Sequence, residues 1–287
     1  MNWIITSLLM FTSSIFLYLL IRKIQILKIS NEINTLFQFG IPCLIYLIFH
    51  IFLKINIFID IKLIILFSLA GFLFSYLGNK SSLIAIENAP NPGYSLIISK
   101  SYVVMTTFVS VIFFNSQLNI KSLLAIFLII IFSSLIMISG KIKSVHNLKW
   151  IIFSFGSFFA WGFLALFSKY VSNLKVPVFT FLFYLTLTVS IFNSIELKLK
   201  KINLRGILLG GEKLLILFFI GIFGMLFNTF MQISYKYAPN PGYINAVNAS
   251  SISLITLFSA FLFKDDFSLK KLIGILGVTT GLILLFI

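Results

Sequence analysis

The hexapeptide Ala89-Pro90-Asn91-Pro92-Gly93-Tyr94 recurs letter for letter as Ala238-Pro239-Asn240-Pro241-Gly242-Tyr243, a displacement of 149 residues within a chain of 287. Self-similarity at one fixed displacement is the sequence signature of a duplicated structural unit. The sequence therefore predicts two copies of one fold unit in tandem. The same displacement pairs identical residues outside the motif: Asn79 with Asn228, Ser101 with Ser250, Thr107 with Thr256, Ser110 with Ser259 and Phe114 with Phe263.

The composition excludes an ordinary soluble protein. Hydrophobic residues make up 60% of the chain, charged residues 10%, and the mean hydropathy is +1.10. These values are typical of an integral membrane protein, and no soluble domain is expected between the apolar runs. The 22 Lys and Arg residues lie singly or in short groups between those runs, so they indicate membrane topology rather than nucleic-acid binding. With one cysteine, Cys43, the chain has no internal disulfide framework and no cysteine-built metal site.

Apolar runs of membrane-spanning length predict an all-α integral membrane fold with ten transmembrane helices. A helix needs about 20 apolar residues to cross the hydrocarbon core. The first run is followed by Arg22 and Lys23 and is preceded by no basic residue, so we expect it to stay in the mature protein rather than to be cleaved as a signal peptide. The predicted spans are Trp3–Ile21, Ile33–Leu53, Leu63–Ala85, Asn91–Phe114, Leu123–Gly140, Trp150–Tyr170, Pro177–Ile195, Leu214–Tyr235, Asn240–Phe263 and Leu269–Ile287.

The repeat divides the chain into residues 1–140, a basic linker at residues 141–149, and residues 150–287. Each copy holds five predicted helices, an odd number, so the second copy enters the membrane from the opposite side to the first. The two halves are therefore predicted to be inverted repeats, a build typical of secondary transporters. Lys and Arg are more numerous in the connections after odd-numbered helices, which places both termini outside by the positive-inside rule.

Each hexapeptide predicts the start of a helix. Proline is tolerated in the first helical turn, and the Asn between the two prolines can cap that turn. Two such helix starts, each with partial positive charge, could attract an anionic group across the symmetry axis. The alternative is a turn that only fixes the hairpin between two helices. Tyr94 and Tyr243, at the two helix starts, are either interface anchors or gates of a cavity.

Lys100 is the main candidate for a substrate contact. It lies about nine residues into the fourth helix, which corresponds to a depth of roughly 14 Å and a position near the membrane midplane. A lysine at this depth is a functional candidate that suits a carboxylate or phosphate. In the alternative interpretation its long side chain extends back to the interface or pairs with Glu87.

Amides and hydroxyls on other predicted helices could complete a polar site. Asn245 and Asn248 lie on one face of the ninth helix, and Ser99 is the repeat partner of Asn248. Asn79 and Asn228 are repeat partners on the third and eighth helices. All five side chains are candidates for substrate binding, and the alternative for the asparagines is hydrogen bonding between neighbouring helices.

No catalytic constellation is visible in the sequence. Intramembrane enzymes need a nucleophile with a base, paired carboxylates or a metal-binding set, and none occurs within the predicted spans. The seven acidic residues fall at span ends or in connections, so proton coupling has no obvious carrier. We expect no enzymatic activity, no cofactor and no metal.

Several residues resemble those of a known family. Trp161-Gly162 in the first helix of the second copy, the polar turn before the fourth helix of each copy, and Asp265-Asp266 after the ninth helix make the chain similar to the drug/metabolite transporter superfamily, in its EamA-type branch. The resemblance implies that the third, fourth, eighth and ninth helices line a central cavity. It also implies that the fifth and tenth helices pack at the periphery, where a homodimer can form.

The expected function is that of a secondary carrier. We expect it to move a small polar metabolite across the cytoplasmic (inner) membrane by alternating access, with an amino acid or a related anionic or zwitterionic solute as the substrate class. A nucleotide-like solute such as S-adenosylmethionine is the alternative among carriers, and a membrane scaffold or receptor is the alternative from another class. The expected partners are the small-molecule substrate and the lipid bilayer, with no nucleic acid.

Overall fold

The structure is a computed structural model that describes residues 2–90, 92–138, 148–174, 176–204 and 211–287. All regular secondary structure in these ranges is helical. Ten helices are long and apolar enough to cross a membrane, as the sequence predicted. They are α1 (Trp3–Ile26), α2 (Asn31–Phe52), α3 (Ile61–Asn88), α4 (Gly93–Phe114), α5 (Ile120–Met137), α6 (Lys149–Asn173), α7 (Val178–Leu199), α8 (Gly211–Tyr237), α9 (Pro241–Phe263) and α10 (Leu269–Phe286).

The predicted helix ends differ from the observed ends by a few residues. The largest difference is in α1, which continues to Ile26 beyond Arg22 and Lys23, because a helix need not end where its apolar run ends. The fifth helix ends at Met137 instead of Gly140, and Gly140 lies outside the described residues. The predicted linker at residues 141–149 also lies largely outside them.

The fourth helix of each half ends in the same local structure. Asn115 and Lys264, which are 149 positions apart, adopt left-handed φ values of 49° and 56° and end α4 and α9. Four residues later, the side chains of Asn119 and Ser268 cap α5 and α10 by accepting a hydrogen bond from a backbone N–H three residues on. At the second hexapeptide the Asn240 side chain accepts from the Gly242 N–H and caps α9, as predicted; its counterpart Asn91 lies outside the described residues.

A π-helical turn interrupts α3 at Gly71–Tyr76. A π turn inserts extra backbone into an α-helix and so changes which side chains face a given neighbour. Gly71 lies so close to α7 that an added Cβ would be 3.1 Å from the Leu185 carbonyl oxygen. Ser75 within this turn and Asn79 after it both line a cavity in the interior of the helix bundle.

The principal helix pairs are consistent with a two-fold relationship: replacing each helix by its counterpart in the other half turns each observed pair into an observed pair. Helix α1 packs along α8, and α6 packs along α3; α2 packs on α7, and α5 packs on α10. Helices α5 and α10 pack closely together, because a Cβ added at Gly277 would lie 2.1 Å from the Phe132 ring. The inverted relationship of the halves and the homodimer stay predictions.

Contacts between chain connections define the two ends of the bundle. At one end, which we call the Asp265 face, Arg22 at the end of α1 forms an ion pair with Asp265 after α9. At the other end, the Pro239 face, the Gln117 N–H donates to the Pro239 carbonyl oxygen over 3.2 Å. The first hexapeptide lies in an odd-numbered connection and therefore belongs to the Asp265 face, whereas the second lies at the Pro239 face.

Candidate solute-binding cavity

A cavity with polar groups in a largely apolar lining runs from the Asp265 face into the centre of the bundle. Its outer part has a volume of about 390 Å³ and includes Arg22, Gln25 and Asn31 in its lining. Its inner part, of about 140 Å³, reaches Gln232 and Tyr235. The two parts are continuous through the residues that line both: Tyr18, Gln38, Phe39, Asn79, Lys100, Trp161 and Asn248.

More helices line this cavity than the resemblance implied. Helices α3, α4, α8 and α9 contribute as expected, but α1, α2, α6 and α7 also contribute through Tyr18, Gln38, Trp161 and Phe181. These side chains are long, so they reach the central space from helices whose axes lie further out. Tyr18 and Gln38 carried no sequence signal that separated them from the many other polar residues within spans.

Lys100 lies at the junction of the inner and outer parts, where the sequence placed the candidate anion contact. Its Nζ atom is 4.9 Å from the centroid of the Trp161 ring, a cation–π arrangement. No carboxylate of a described residue lies within 4.0 Å of Nζ, and the pairing with Glu87 is not formed. The cation is therefore half-buried against an aromatic face and available to an anion in the cavity.

Trp161 is held by its neighbours on α3 and α4. Its Nε1–H donates to the Asn79 side-chain oxygen over 3.3 Å. The following residue, Gly162, contacts α4 so closely that a Cβ there would lie 2.1 Å from the Met105 methyl group. The Trp-Gly pair thus lets α6 approach α4 while the indole points into the cavity. The sequence marked this pair as a family motif but gave it no role in the site.

Two buried amide oxygens of the outer cavity make no hydrogen bond to any described residue: Asn248 Oδ1 on α9 and Asn34 Oδ1 on α2. The exposed fractions of these residues are 6% and 9%. A buried acceptor without a donor carries a desolvation penalty of about 1–3 kcal/mol. Both oxygens are therefore acceptors for which the described residues supply no donor.

Asn79 and Asn228 both line the inner cavity, so the structure brings these repeat partners to one space. Asn79 accepts the bond from Trp161. The Asn228 side-chain amide donates to the Gly224 carbonyl oxygen one turn earlier on α8, over 2.9 Å. In each of these asparagines, one polar group of the side chain is therefore hydrogen-bonded within the protein. Their predicted role in substrate binding stays a prediction.

Asn245 and Ser99 lie behind the cavity wall. The Asn245 oxygen accepts from the Tyr235 hydroxyl over 2.5 Å, and its amide donates to Thr106 Oγ1 over 2.9 Å. Ser99 Oγ is 2.6 Å from Ser157 Oγ on α6. These contacts match the helix-to-helix bonding that the sequence allowed as the alternative. Asn245 in addition positions Tyr235, which lines the inner cavity.

The two hexapeptide tyrosines do not line the cavity in this structure. Tyr243 is 4% exposed, and its hydroxyl donates to the Gln117 carbonyl oxygen over 3.1 Å at the Pro239 face. Tyr94 is half-buried near the Asp265 face. Their proposed role as gates stays a prediction.

The inner cavity is closed at the Pro239 face. Lys169 Nζ donates to the carbonyl oxygens of Tyr235 and Ala238 over 2.8 and 3.2 Å, and so ties α6 to the end of α8. Gln232 lines the inner cavity and also a separate cavity of about 280 Å³ that includes Lys236. Its amide donates to the Ser168 carbonyl oxygen over 3.0 Å. The Gln232 side chain therefore separates the central space from a space at the Pro239 face.

Comparison with known proteins identifies the family of the second half. The model of the EamA-like transporter family matches residues 148–287. This part of the chain is therefore similar to the EamA-like transporter family. Together with the ten spanning helices, the match fits an EamA-type protein of the drug/metabolite transporter superfamily, whose members transport small solutes across membranes.

A solved crystal structure shares the fold of this chain. It aligns over 98% of this chain and 98% of its own chain with a TM-score of 0.78, at 14% sequence identity. No curated protein matches the chain. At this identity the similarity shows the fold alone. The ten helices of the described residues that are long and apolar enough to cross a membrane indicate a multi-pass integral membrane protein.

A charged vestibule adjoins the cavity at the Asp265 face. Lys200 Nζ lies 2.6 Å from a Glu32 oxygen and 2.9 Å from a Glu196 oxygen, and Lys80 Nζ lies 2.9 Å from the same Glu196 oxygen. Hydrogen bonds from Lys200 to Glu32 and Glu196 raise the pKa of the lysine. Asn79 lines both this vestibule and the central cavity. Among the described residues, no group of His, Cys, Asp and Glu side chains could hold a metal ion.

Proposed function

We propose that this EamA-like protein is a secondary carrier for a small polar metabolite that bears an anionic group, with amino acids and related zwitterions as the substrate class. The observation that carries the proposal is the Lys100 ammonium in the central cavity, with Trp161 rather than a carboxylate as its partner. The proposal builds on the transporter family of residues 148–287.

The charge of Lys100 favours an anion. The lining of the two cavity parts holds one other charged side chain, Arg22, and this arginine is already paired with Asp265. Opposite charges attract more strongly in a partly dehydrated cavity than in bulk water. A carboxylate or phosphate that enters the cavity would therefore compensate the Lys100 charge.

The unpartnered oxygens of Asn248 and Asn34 favour a hydrogen-bond donor on the same solute. An ammonium or amine supplies such donors, and the ring face of Tyr18 in the lining suits a cation as well. A solute with both an anionic and an ammonium group satisfies both kinds of partner. This combination supports a zwitterion over a simple inorganic anion.

The positive charge of Lys100 distinguishes amino acids from S-adenosylmethionine, the two solute classes that the sequence left open. An α-amino acid with an uncharged side chain has a net charge near zero at neutral pH. S-adenosylmethionine adds a sulfonium and has a net positive charge, which Lys100 would repel. The lining therefore favours the amino-acid class over S-adenosylmethionine.

A carrier function by alternating access also fits the arrangement of the helices. The cavity is open toward the Asp265 face and closed toward the Pro239 face. The exchange of helix pairs on swapping the halves supports the inverted repeat, and inverted repeats allow one half to rock against the other around a central site. The positive-inside rule places the Asp265 face in the cytoplasm, and we propose the cytoplasmic membrane as the location. A scaffold or receptor has no need of a lysine and unpartnered amides inside its bundle.

The test combines ligand binding with transport. The purified protein is screened by thermal unfolding against amino acids, organic acids, nucleotides and amines, beside Lys100→Ala and the conservative variant Lys100→Arg. Stabilisation by ligand rises with ligand concentration above Kd. We expect an amino acid or related anion to raise Tm of the native protein and of Lys100→Arg, and not of Lys100→Ala.

Solutes that raise Tm are then tested for uptake into proteoliposomes. Lys121→Ala is the matched control, because Lys121 is an exposed lysine at the start of α5. We expect this control to transport like the native protein. Folded protein that binds and transports none of the solutes would overturn the proposal in favour of a scaffold, and unchanged transport by Lys100→Ala would overturn the assignment of the lysine.

A further inference from the structure

The second hexapeptide is docked on α4 at the closed Pro239 face. Asn240 is fully buried, and its side-chain oxygen accepts from Ser110 Oγ over 3.0 Å. Its amide donates to the Thr107 carbonyl oxygen over 3.2 Å. Gly242 makes the approach possible, since a Cβ at this position would lie 1.9 Å from Thr107 Oγ1. The hexapeptide thus holds the start of α9 against the C-terminal half of α4.

The corresponding residues of α9 at the Asp265 face have no such hydrogen bond to a described residue. Thr256 and Ser259 are the repeat partners of Thr107 and Ser110 and are identical to them. Thr107 and Ser110 are 1% and 0% exposed, whereas Thr256 is half-buried and Ser259 lines the outer cavity. The hydroxyls of Thr256 and Ser259 form no hydrogen bond to a described residue. The outer cavity lies where the docking contact would otherwise be.

We infer that the two hexapeptides are reciprocal latches of the transport cycle, each of which closes one face by docking on the fourth helix of the other half. In the state described here, residues 238–243 close the Pro239 face on Thr107 and Ser110. In the opposite state, Gly93 and Tyr94 of the first hexapeptide close the Asp265 face on Thr256 and Ser259. The inference rests on the proposed carrier function and assigns positioning roles to residues outside the substrate site.

The two latches explain why three pairs of residues are identical in the two halves: Gly93 and Gly242, Thr107 and Thr256, and Ser110 and Ser259. A glycine in each motif permits close approach. The receiving residues are a threonine seven residues and a serine four residues before the last residue of α4 and of α9. Similar contacts at the two faces give the two states similar free energies. A carrier needs two such states, because a large difference would trap it in one of them.

The test measures which face of the molecule is open. A cysteine at Ser75, which lines the inner cavity, is introduced by Ser75→Cys in a Cys43→Ser background. A membrane-impermeant maleimide is then applied from one face or from the other in oriented vesicles. The ratio of labelling from the Asp265 face to labelling from the Pro239 face reports the ratio of the two states.

Ser110→Ala removes one hydrogen bond from the engaged latch. We expect the labelling ratio to fall about fivefold, the factor that corresponds to one neutral hydrogen bond. Ser259→Ala removes the corresponding bond of the opposite state, so the ratio should rise by a similar factor. The double variant should return the ratio to that of the parent. The inference would be overturned if Ser259→Ala had the same labelling ratio as the parent. It would also be overturned if the double variant had the labelling ratio of Ser110→Ala.

Tyr243→Phe and Tyr94→Phe provide a second pair should the serine variants fail to fold. Tyr243 donates to the Gln117 carbonyl oxygen in the engaged latch, so its variant should lower the ratio and Tyr94→Phe should raise it. Equal shifts in one direction would contradict the latches. The labelling assay needs no solute and is therefore independent of the transport assay. If the two tyrosine variants shift the labelling ratio in opposite directions but no solute is transported, only the carrier proposal is rejected. If a solute is transported but the variants do not shift the ratio in opposite directions, only the latches are rejected.

Discussion

The Nζ atom of Lys100 lies 4.9 Å from the centroid of the Trp161 ring, and the same indole donates a hydrogen bond to Asn79. The aromatic ring thus fixes both the cation and an amide of the cavity. A lysine held in this way keeps its charge in the cavity without a carboxylate that a substrate anion would have to displace.

Trp161→Leu removes this support. We expect the KM for uptake of an anionic or zwitterionic solute to rise about fivefold, since a cation–π contact contributes about 1 kcal/mol. Trp161→Phe keeps the ring face and loses only the donor to Asn79, so its KM should rise less. Uptake by proteoliposomes measures both values, and a Trp161→Phe effect as large as that of Trp161→Leu would contradict a role for the ring face.

Asn248→Ala tests the unpartnered amide. If its buried oxygen accepts a hydrogen bond from the solute, the Kd of a stabilising ligand should rise about tenfold, within the range of one such bond. Asn88→Ala is the matched control, because Asn88 is exposed at the end of α3, away from the cavity, and its amide bonds the Ile84 carbonyl oxygen over 2.8 Å. Titration by thermal shift compares them, and equal losses of affinity would argue against a specific role for Asn248.

Gln232→Ala shortens the side chain that separates the inner cavity from the space near Lys236. We expect faster maleimide labelling of Ser75→Cys from the Pro239 face, since a path opens where the amide now bonds to the Ser168 carbonyl. Ser172→Ala removes only the weaker partner of Gln232, at 3.2 Å, and should change the rate less. Unchanged labelling of Gln232→Ala would show that other residues close this face.

Gly277→Ala tests the packing of α5 on α10. Its added Cβ would lie 2.1 Å from the Phe132 ring, and overpacking of this kind destabilises a protein by about 1–3 kcal/mol. We expect a lower Tm in detergent. Gly211→Ala is the control, because a Cβ there meets no atom within 4 Å, and its Tm should stay close to that of the native protein.

The vestibule ion pairs should be insensitive to pH in the neutral range. Glu32 and Glu196 raise the pKa of Lys200 above its ordinary value of 10.5. The stability from this lysine is therefore fully present below pH 10.5 and is lost only as the pH rises through the raised pKa. The difference in Tm between native protein and Lys200→Met, modest because the lysine is half-exposed, should stay constant from about pH 6 to about pH 9. A difference that shrinks by about pH 9 would contradict the raised pKa.

Helix number and position could be predicted from the sequence because apolar runs of fixed length decide them. The helix ends could not, because α1 and α8 continue past the apolar run into polar residues. Lys100 could be predicted as a cavity residue because a charged side chain within an apolar helix stands out, and Asn248 because a side-chain amide at that depth needs a partner. Asn245 lies on the same helix, yet its amide bonds Tyr235 and Thr106, and such pairings depend on the neighbouring helices rather than on the pattern within one.

The charged vestibule and the central cavity differ in sign. The vestibule lining holds the carboxylates of Glu32, Glu87 and Glu196 against two lysines, whereas the inner cavity holds the Lys100 ammonium. Asn79, placed by the π turn of α3, joins the two spaces. An electric field therefore points along this route from the centre toward the Asp265 face, and it aligns a dipolar solute with its anionic end leading inward and its ammonium end trailing outward.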